Sequence, residues 1–309
     1  MKSWRPSPIT LIKLVPVLLM LGICATVAQV ASDVDVIRNV EYGTGGGRPL
    51  KLDIVRPKEQ PKGLMPAIIY VHGGGWSGGA KESYIPAISA LARRGYFCTT
   101  IAYRLSGEAT WPAQIEDCKC AIRWMRAHAK EYSVDPNRIG VWGDSAGGHL
   151  VALLGTSGDA RMLEGKGGWP EYSSRVNAVC DWYGPVDFLW YYENAKDNPL
   201  LSGIFKDGND VLSQLLGGPF WERPGLCRQA SPLSYVSKDD PPFLIMQGDK
   251  DPLVPMIHSQ MLNDALTKAG VDSTLIIMKG AGHGFPGAEP LNKVADFFDK
   301  HLGKPSGTD

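Results

Sequence analysis

A serine, a histidine and two aspartates in this chain are spaced as acyl transfer requires. Ser145 centres Gly143-Asp144-Ser145-Ala146-Gly147, which follows the apolar run 139–142 and opens a segment rich in small residues. G-x-S-x-G between a strand and a helix makes a reversal too tight for side chains beside the serine, and it lifts the hydroxyl clear of its surroundings. The helix that follows turns its positive end towards developing negative charge. A serine hydroxyl is a weak nucleophile and needs a base. With the serine placed this way, an acid and then a histidine should follow it along the chain. Of six histidines, His258, His283 and His301 lie well beyond Ser145. His258 and His301 fall within helical patterns, whereas His283 stands in a loop, GAGHGF at 280–285, just after the apolar run 274–278. His283 is therefore the expected base.

The acid should follow the preceding apolar run, 243–247, where Asp249 and Asp251 both qualify. Its task is to hold the imidazole tautomer and stabilise imidazolium, and spacing leaves both residues open. Residues 72–76 read HGGGW directly after the run 67–71. Backbone N–H groups of such a loop, with that of Ala146, can hold a tetrahedral oxyanion. A glycine-rich phosphate loop would need G-x-x-x-x-G-K-[ST], which is missing here. His72 reads as a brace for the loop rather than a second base.

These residues need a scaffold that brings strand ends together. Residues 50–54 alternate as a half-exposed strand, 34–42 is a weaker candidate, and Gly43 to Gly47 would join them as a loose hairpin. Short apolar runs follow at 67–71, 97–102, 139–142, 178–183, 243–247 and 274–278, the pattern of strands buried on both faces. Helical patterns fill 84–94, 112–129, 145–154, 255–269 and 289–302. Alternating strands and helices predict an α/β fold. Its sheet has about eight strands, mostly parallel, after an antiparallel start. The stretch 184–242 is longer than one crossover helix requires and holds Trp190, Tyr191, Tyr192, Phe205, Phe220 and Trp221. It predicts a small helical insert after the sixth strand, over the sheet's edge.

The 309 residues are 44% hydrophobic and 21% charged, which excludes disorder for the bulk of the chain. Basic and acidic residues balance at 32 each, which argues against nucleic acid as the partner. Residues 1–28 read as a secretory signal peptide: Lys2, Arg5 and Lys13 precede an uncharged apolar run, 14–28, that ends in small residues. An uncleaved anchor and a lipoprotein through Cys24 are the other readings. Cleavage would leave 29 basic against 32 acidic residues. The expected product is one domain over 29–309, periplasmic or extracellular, without stable membrane association. Export permits disulfides, but Cys98, Cys118, Cys120, Cys180 and Cys227 are odd in number and read mainly as small buried hydrophobes. The tail 303–309 is expected to fray.

HGGGW, GDSAGG, GDKDPLVP and GAGHGF, in this order over roughly residues 35–302, resemble the α/β-hydrolase superfamily. The resemblance is closer to its esterase branch, which includes bacterial carbohydrate acetyl and feruloyl esterases and hormone-sensitive-lipase-like enzymes. It implies Asp251 as the triad acid beside Ser145 and His283, and Gly74 and Gly75 as loop oxyanion donors with Trp76 close by. It implies no metal and no cofactor. HGGGW in place of HGGGF leans towards the carbohydrate esterases. So do the roughly 40 residues between the expected cut and this motif, which leave no room for a helical N-terminal cap. The implied substrate is an ester linked to polysaccharide, such as acetylated or feruloylated xylan. Trp76, Trp111, Trp182 and Tyr183, on or beside strand-end loops, are the candidate substrate contacts, while Trp124 and Trp142 read as core. The same machinery would serve a short-chain lipase-like esterase, a peptidase or a formamidase-like amidase. A noncatalytic binding protein on this fold would be expected to lack a triad member. Oligomeric state is not legible.

Overall fold

The computed structural model describes residues 33–59, 61–194 and 208–305. The expected signal peptide, Phe205 and the end of the tail lie outside them, as does the side chain of Tyr192.

Strands β1 (Val34–Gly45) and β2 (Arg48–Pro57) form an antiparallel hairpin. It is tighter than the sequence suggested, because Gly43 pairs with Leu50 and Gly45 with Arg48. Only Gly46 and Gly47 turn, at φ 58° and 80°; two residues of left-handed backbone match the twist of the joined strands. Register shifts between Ile37 and Val40, and between Glu41 and Gly43, break the alternation of β1. That is why its signal in the sequence is weak.

The other strands are β3 (Met65–Val71), β4 (Phe97–Ile101), β5 (Val134–Asp144), β6 (Ala178–Trp182), β7 (Phe243–Gly248) and β8 (Ser273–Met278). They make one sheet in the order β1-β2-β4-β3-β5-β6-β7-β8. β2 and β4 pair antiparallel, and every pair from β4 onward is parallel. All residues of β3, β4, β6 and β7 are buried, as expected of strands covered by helices on both faces. β8 is equally apolar in sequence but only half-buried, because it is the edge strand.

The longer helices are α1 (Ile85–Arg93), α2 (Ala113–Ala127), α3 (Ala146–Thr156), α4 (Phe188–Asn194), α5 (Val211–Leu216), α6 (Pro224–Ala230), α7 (Ile257–Ala269) and α8 (Ala288–Leu302). Strand side chains alternate between two cores. Ile68 and Tyr70 of β3 pack with Ile88 and Leu91 of α1 and Val294 and Phe298 of α8. Ile69 and Val71 pack on the other face with Ile122 of α2, Leu150 of α3 and Leu262 of α7. The described part of the insert joins this second core through Phe188, Leu212, Leu215 and Cys227. It therefore packs on the α2, α3 and α7 side of the sheet, and Tyr191, Val211 and Leu212 reach the strand ends beside Ser145.

The five cysteines among the described residues, Cys98, Cys118, Cys120, Cys180 and Cys227, are buried and unpaired. Burial pushes their thiols up, to about 11 for Cys120 and Cys227, so they stay protonated and serve as packing groups. Among the described residues no helix is long and apolar enough to cross a membrane.

Candidate active site

Ser145 stands between β5 and α3 with φ 53° and ψ −119°, a conformation that non-glycine residues rarely adopt. Two backbone bonds hold it there. Its N–H donates to the Trp182 carbonyl at 2.8 Å, and its carbonyl accepts from His149 N–H at 3.0 Å. A β-carbon at Gly147 would overlap the Val71 carbonyl oxygen, and one at Gly143 would overlap Gly147. Both motif glycines are thus required by close backbone approach.

Ser145 Oγ lies 2.9 Å from His283 Nε2, and His283 Nδ1 lies 2.7 Å from Asp251 Oδ2. Asp251 is the aspartate that meets the histidine. Asp249 instead accepts from Gly280 N–H at 2.7 Å, pinning the loop that carries His283. The Asp251 side chain is fully buried. Its Oδ1 accepts from the amides of Leu253 and Val254, and its Oδ2 also accepts from Gln247 Nε2 at 3.0 Å. Burial alone would raise this carboxyl, but the hydrogen bonds from His283 and the two amides outweigh it and hold the group below the usual carboxylate range. An ionised Asp251 can only accept, so His283 carries its proton on Nδ1 and Nε2 is left to accept from the serine.

Gly75 and Ala146 line the cavity at Ser145. As the first residue of α3, Ala146 has no intrahelical partner for its N–H. Gly74 does not line the cavity; its carbonyl closes a turn by accepting from the amides of Ser77 and Gly78. The Gly73 amide is occupied by Asp144 Oδ1 at 2.9 Å, an oxygen that Tyr70 Oη also reaches at 2.5 Å. His72 is buried, stacks on Tyr103 at 4.5 Å and accepts the Tyr103 hydroxyl at its carbonyl. It braces the loop and is remote from the triad's hydrogen bonds.

Trp76 lines the same cavity at a positive φ of 55°. Its indole N–H donates to His149 Nδ1 at 3.1 Å, and His149 Nε2 lies 2.6 Å from the Ala230 carbonyl at the end of α6. An indole N–H can only donate, so His149 is neutral with its proton on Nε2. Burial lowers its pKa to about 4, against the smaller opposing effect of the Ala230 bond. This chain ties the oxyanion loop to α3 and to the insert. The sequence did not single out His149, Gln247 or Asp144 for roles in the site. A buried indole that needs an acceptor was the one available signal for the first.

Two cavities meet at His283. The one at Ser145 has a volume of about 290 Å³ and is lined by Gly75, Trp76, Ala146, Pro185, Tyr191, Val211, Leu212, Leu253 and Val254. The other, about 660 Å³, is an open cleft lined by Tyr84, Asp144, Trp182, Tyr183, Phe285 and Leu291, among others. The other three expected aromatic contacts lie away from the serine's cavity. Trp111 lines neither cavity; it is buried by packing around α2 and α6 and donates to Gln229 Oε1 at 2.9 Å. Trp182 and Tyr183 lie at the cleft, not at the serine's cavity, because their side chains belong to the α1 and α8 core. Trp182 is wedged between Trp142 and Phe285, while Tyr183 lies 4.5 Å from the His283 ring. Trp124 and Trp142 are core residues. His258 is also core, stacked on Tyr191 and accepting from Val186 N–H. Among the described residues no group of three or more His, Cys, Asp or Glu is placed to hold a metal ion.

This sheet, with a strained serine after β5, an acid after β7 and a histidine after β8, defines an α/β-hydrolase with a Ser–His–Asp constellation. The chain belongs to the BD-FAE family, whose model matches residues 52–266. It is 33% identical over 278 residues to the esterase LipQ of Mycobacterium tuberculosis, an alignment covering 87% of this chain and 63% of LipQ. The chain thus spans less than two thirds of that relative's length. Among solved structures it resembles a truncated carbohydrate esterase from gut microbiota, with a TM-score of 0.76 and 32% identity over 88% of this chain and 98% of that one. It also resembles the propionate-bound esterase Est2 of the planctomycete Thermogutta terrifontis, with a TM-score of 0.70 and 27% identity over 90% and 97% of the two chains.

Proposed function

We propose that this protein hydrolyses carboxylic esters through an acyl group held on Ser145, and that its natural esters are acetyl or feruloyl groups on a plant polysaccharide such as xylan. The observation that carries the ester reading is the unbroken hydrogen-bonded chain from Ser145 Oγ through His283 to the buried Asp251.

His283 takes the Ser145 proton as the hydroxyl attacks the ester carbonyl, and Asp251 stabilises the imidazolium that forms. The oxyanion turns towards the amides of Ala146 and the Gly74–Gly75 loop. One such donor lowers a barrier by roughly 3 kcal/mol, so the loop's position bears directly on the rate. His283 then protonates the departing alcohol, and water repeats the cycle to free the acid. No step draws on a metal or an organic cofactor.

The polysaccharide part of the reading is supported by the gut-microbiota neighbour, whose name is that of a carbohydrate esterase, and by the signal-like sequence over 1–28, which would carry the enzyme out to polymers. The apolar cavity of about 290 Å³ has room for a feruloyl group as well as acetyl. The test is release of acetate from acetylated xylan and of ferulate from methyl ferulate, with Ser145→Ala as the blank. Serine-dependent release of either is expected. Turnover of small acetate esters alone would remove the polysaccharide assignment, and an active Ser145→Ala protein would remove the mechanism.

A further inference from the structure

We propose that Gln247 is a positioning residue for the acid: its side-chain amide fixes the Asp251 carboxylate against His283 and sets how strongly that carboxylate holds the imidazolium. The inference rests on the ester reading above and names a residue outside the triad that tunes it.

Gln247 is the one polar side chain in β7, FLIMQG, and it is fully buried. A buried amide must find partners for its two N–H donors and its carbonyl. Gln247 Nε2 lies 3.0 Å from Asp251 Oδ2, 3.2 Å from the Val254 carbonyl and 3.3 Å from the Gly248 carbonyl. On the other side, Oε1 accepts from the buried hydroxyl of Ser259, on α7, at 2.9 Å. Three acceptors on one side and a hydroxyl on the other admit a single orientation. Turned over, the amide would set its carbonyl against a carboxylate and two carbonyls.

The bond to Asp251 falls on the oxygen that also meets His283 Nδ1. Asp251 Oδ1 is held by the amides of Leu253 and Val254, which belong to the acid's own loop. Gln247 comes from the sheet, so it ties the plane of the carboxylate to a rigid strand. Each donor also draws charge from the carboxylate. With one donor fewer, Asp251 would attract the His283 proton more strongly and favour the imidazolium. Gln247 is absent from the lining of the serine's cavity, so it acts on the base only through the acid. Besides His283, the phenols of Tyr183, just past β6, and Tyr191, on α4, feel the charge of Asp251, and burial keeps both protonated. In the acid's loop, Asp249 turns to Gly280 N–H and Lys250 is exposed.

The test is the pH dependence of nitrophenyl acetate hydrolysis. Gln247→Met keeps the length of the side chain and removes its donors. It should lower kcat about tenfold and move the acid limb of kcat/KM upward by roughly half a pH unit. Ser259→Ala removes the bond on the far side of the same amide. It should lower Tm and leave the limb in place, because the three acceptors still orient Nε2. The low-field proton NMR signal of His283 Nδ1–H reads the same midpoint without turnover; it should move with Gln247→Met and not with Ser259→Ala. If Gln247→Met does not fold, adding Ser259→Ala leaves no hydroxyl unpaired, and the double variant carries the same prediction. A limb and NMR midpoint that stay in place or fall in the Gln247 variants, or an equal shift in Ser259→Ala, would reduce Gln247 to packing and overturn the proposal. A wild type that cleaves no ester would overturn the ester reading, while the NMR midpoint would still decide whether Gln247 acts on the Asp251–His283 pair.

Discussion

At the scale of single residues, two aspartates separated by one position have different work. Asp251 receives His283, Gln247 and two backbone amides, whereas Asp249 receives only Gly280 from the histidine's loop. An asparagine at 251 would present an N–H to His283 Nδ1 and favour the wrong tautomer. Asp251→Asn should lower kcat about 10⁴-fold with the fold intact. Asp249→Asn retains an acceptor for Gly280 and should cost far less; steady-state kinetics of the pair decides, and a larger loss at 249 would reverse the assignment. Sequence spacing alone could not separate them, since both lie in one loop and only the direction of each side chain differs. Ser145 and His283 were legible because each stands in a glycine-bounded turn after an apolar run. The places of Trp111 and Trp182 were not legible for a related reason. Their neighbours in sequence are loops, but their neighbours in space are residues of distant elements, Gln229 and Phe285.

At the scale of elements, the strands buried on both faces were legible from their continuous apolar runs, and the α/β order followed from them. The hairpin's tightness, the half-exposure of β8 and the placement of the insert were not, because pairing register and edge position are set by partners elsewhere in the chain. Besides lining the serine's cavity with Tyr191, Val211 and Leu212, the insert reaches the site through His149, which joins Trp76 of the oxyanion loop to Ala230 of α6. His149→Phe leaves a buried indole N–H without an acceptor, at a cost of roughly 1–3 kcal/mol. The loss should fall mainly on kcat rather than KM, since the loop carries oxyanion donors. Combined with Trp76→Phe, the two changes should cost less than their sum by about 1 kcal/mol; strict additivity would show that the bond does not position the loop. The pH dependence has a definite sign. Burial depresses His149 from 6.5 to about 4 in the folded protein, so its contribution to stability is complete above its unfolded pKa and is lost as pH falls through about 4. Thermal unfolding across this window should show a shallower acid decline in His149→Phe than in the wild type.

At the scale of the whole molecule, the eight-stranded sheet does one thing for function: it brings loops from four parallel strands to one edge. β3 delivers the oxyanion loop, β5 the serine, β7 the acid and β8 the histidine. The two helical layers then give this edge two different sides, an apolar cavity under the insert and an open cleft between α1 and the histidine loop. The central claim is that Ser145 carries the acyl group between these sides. The direct measurement is to mix the protein with nitrophenyl acetate, quench in acid during turnover and locate the acetyl group by peptide mass spectrometry. The account predicts one acetyl group on the peptide containing Ser145, absent from Ser145→Ala, which should also lose turnover. Acetylation of another residue, or undiminished hydrolysis by Ser145→Ala, would contradict it.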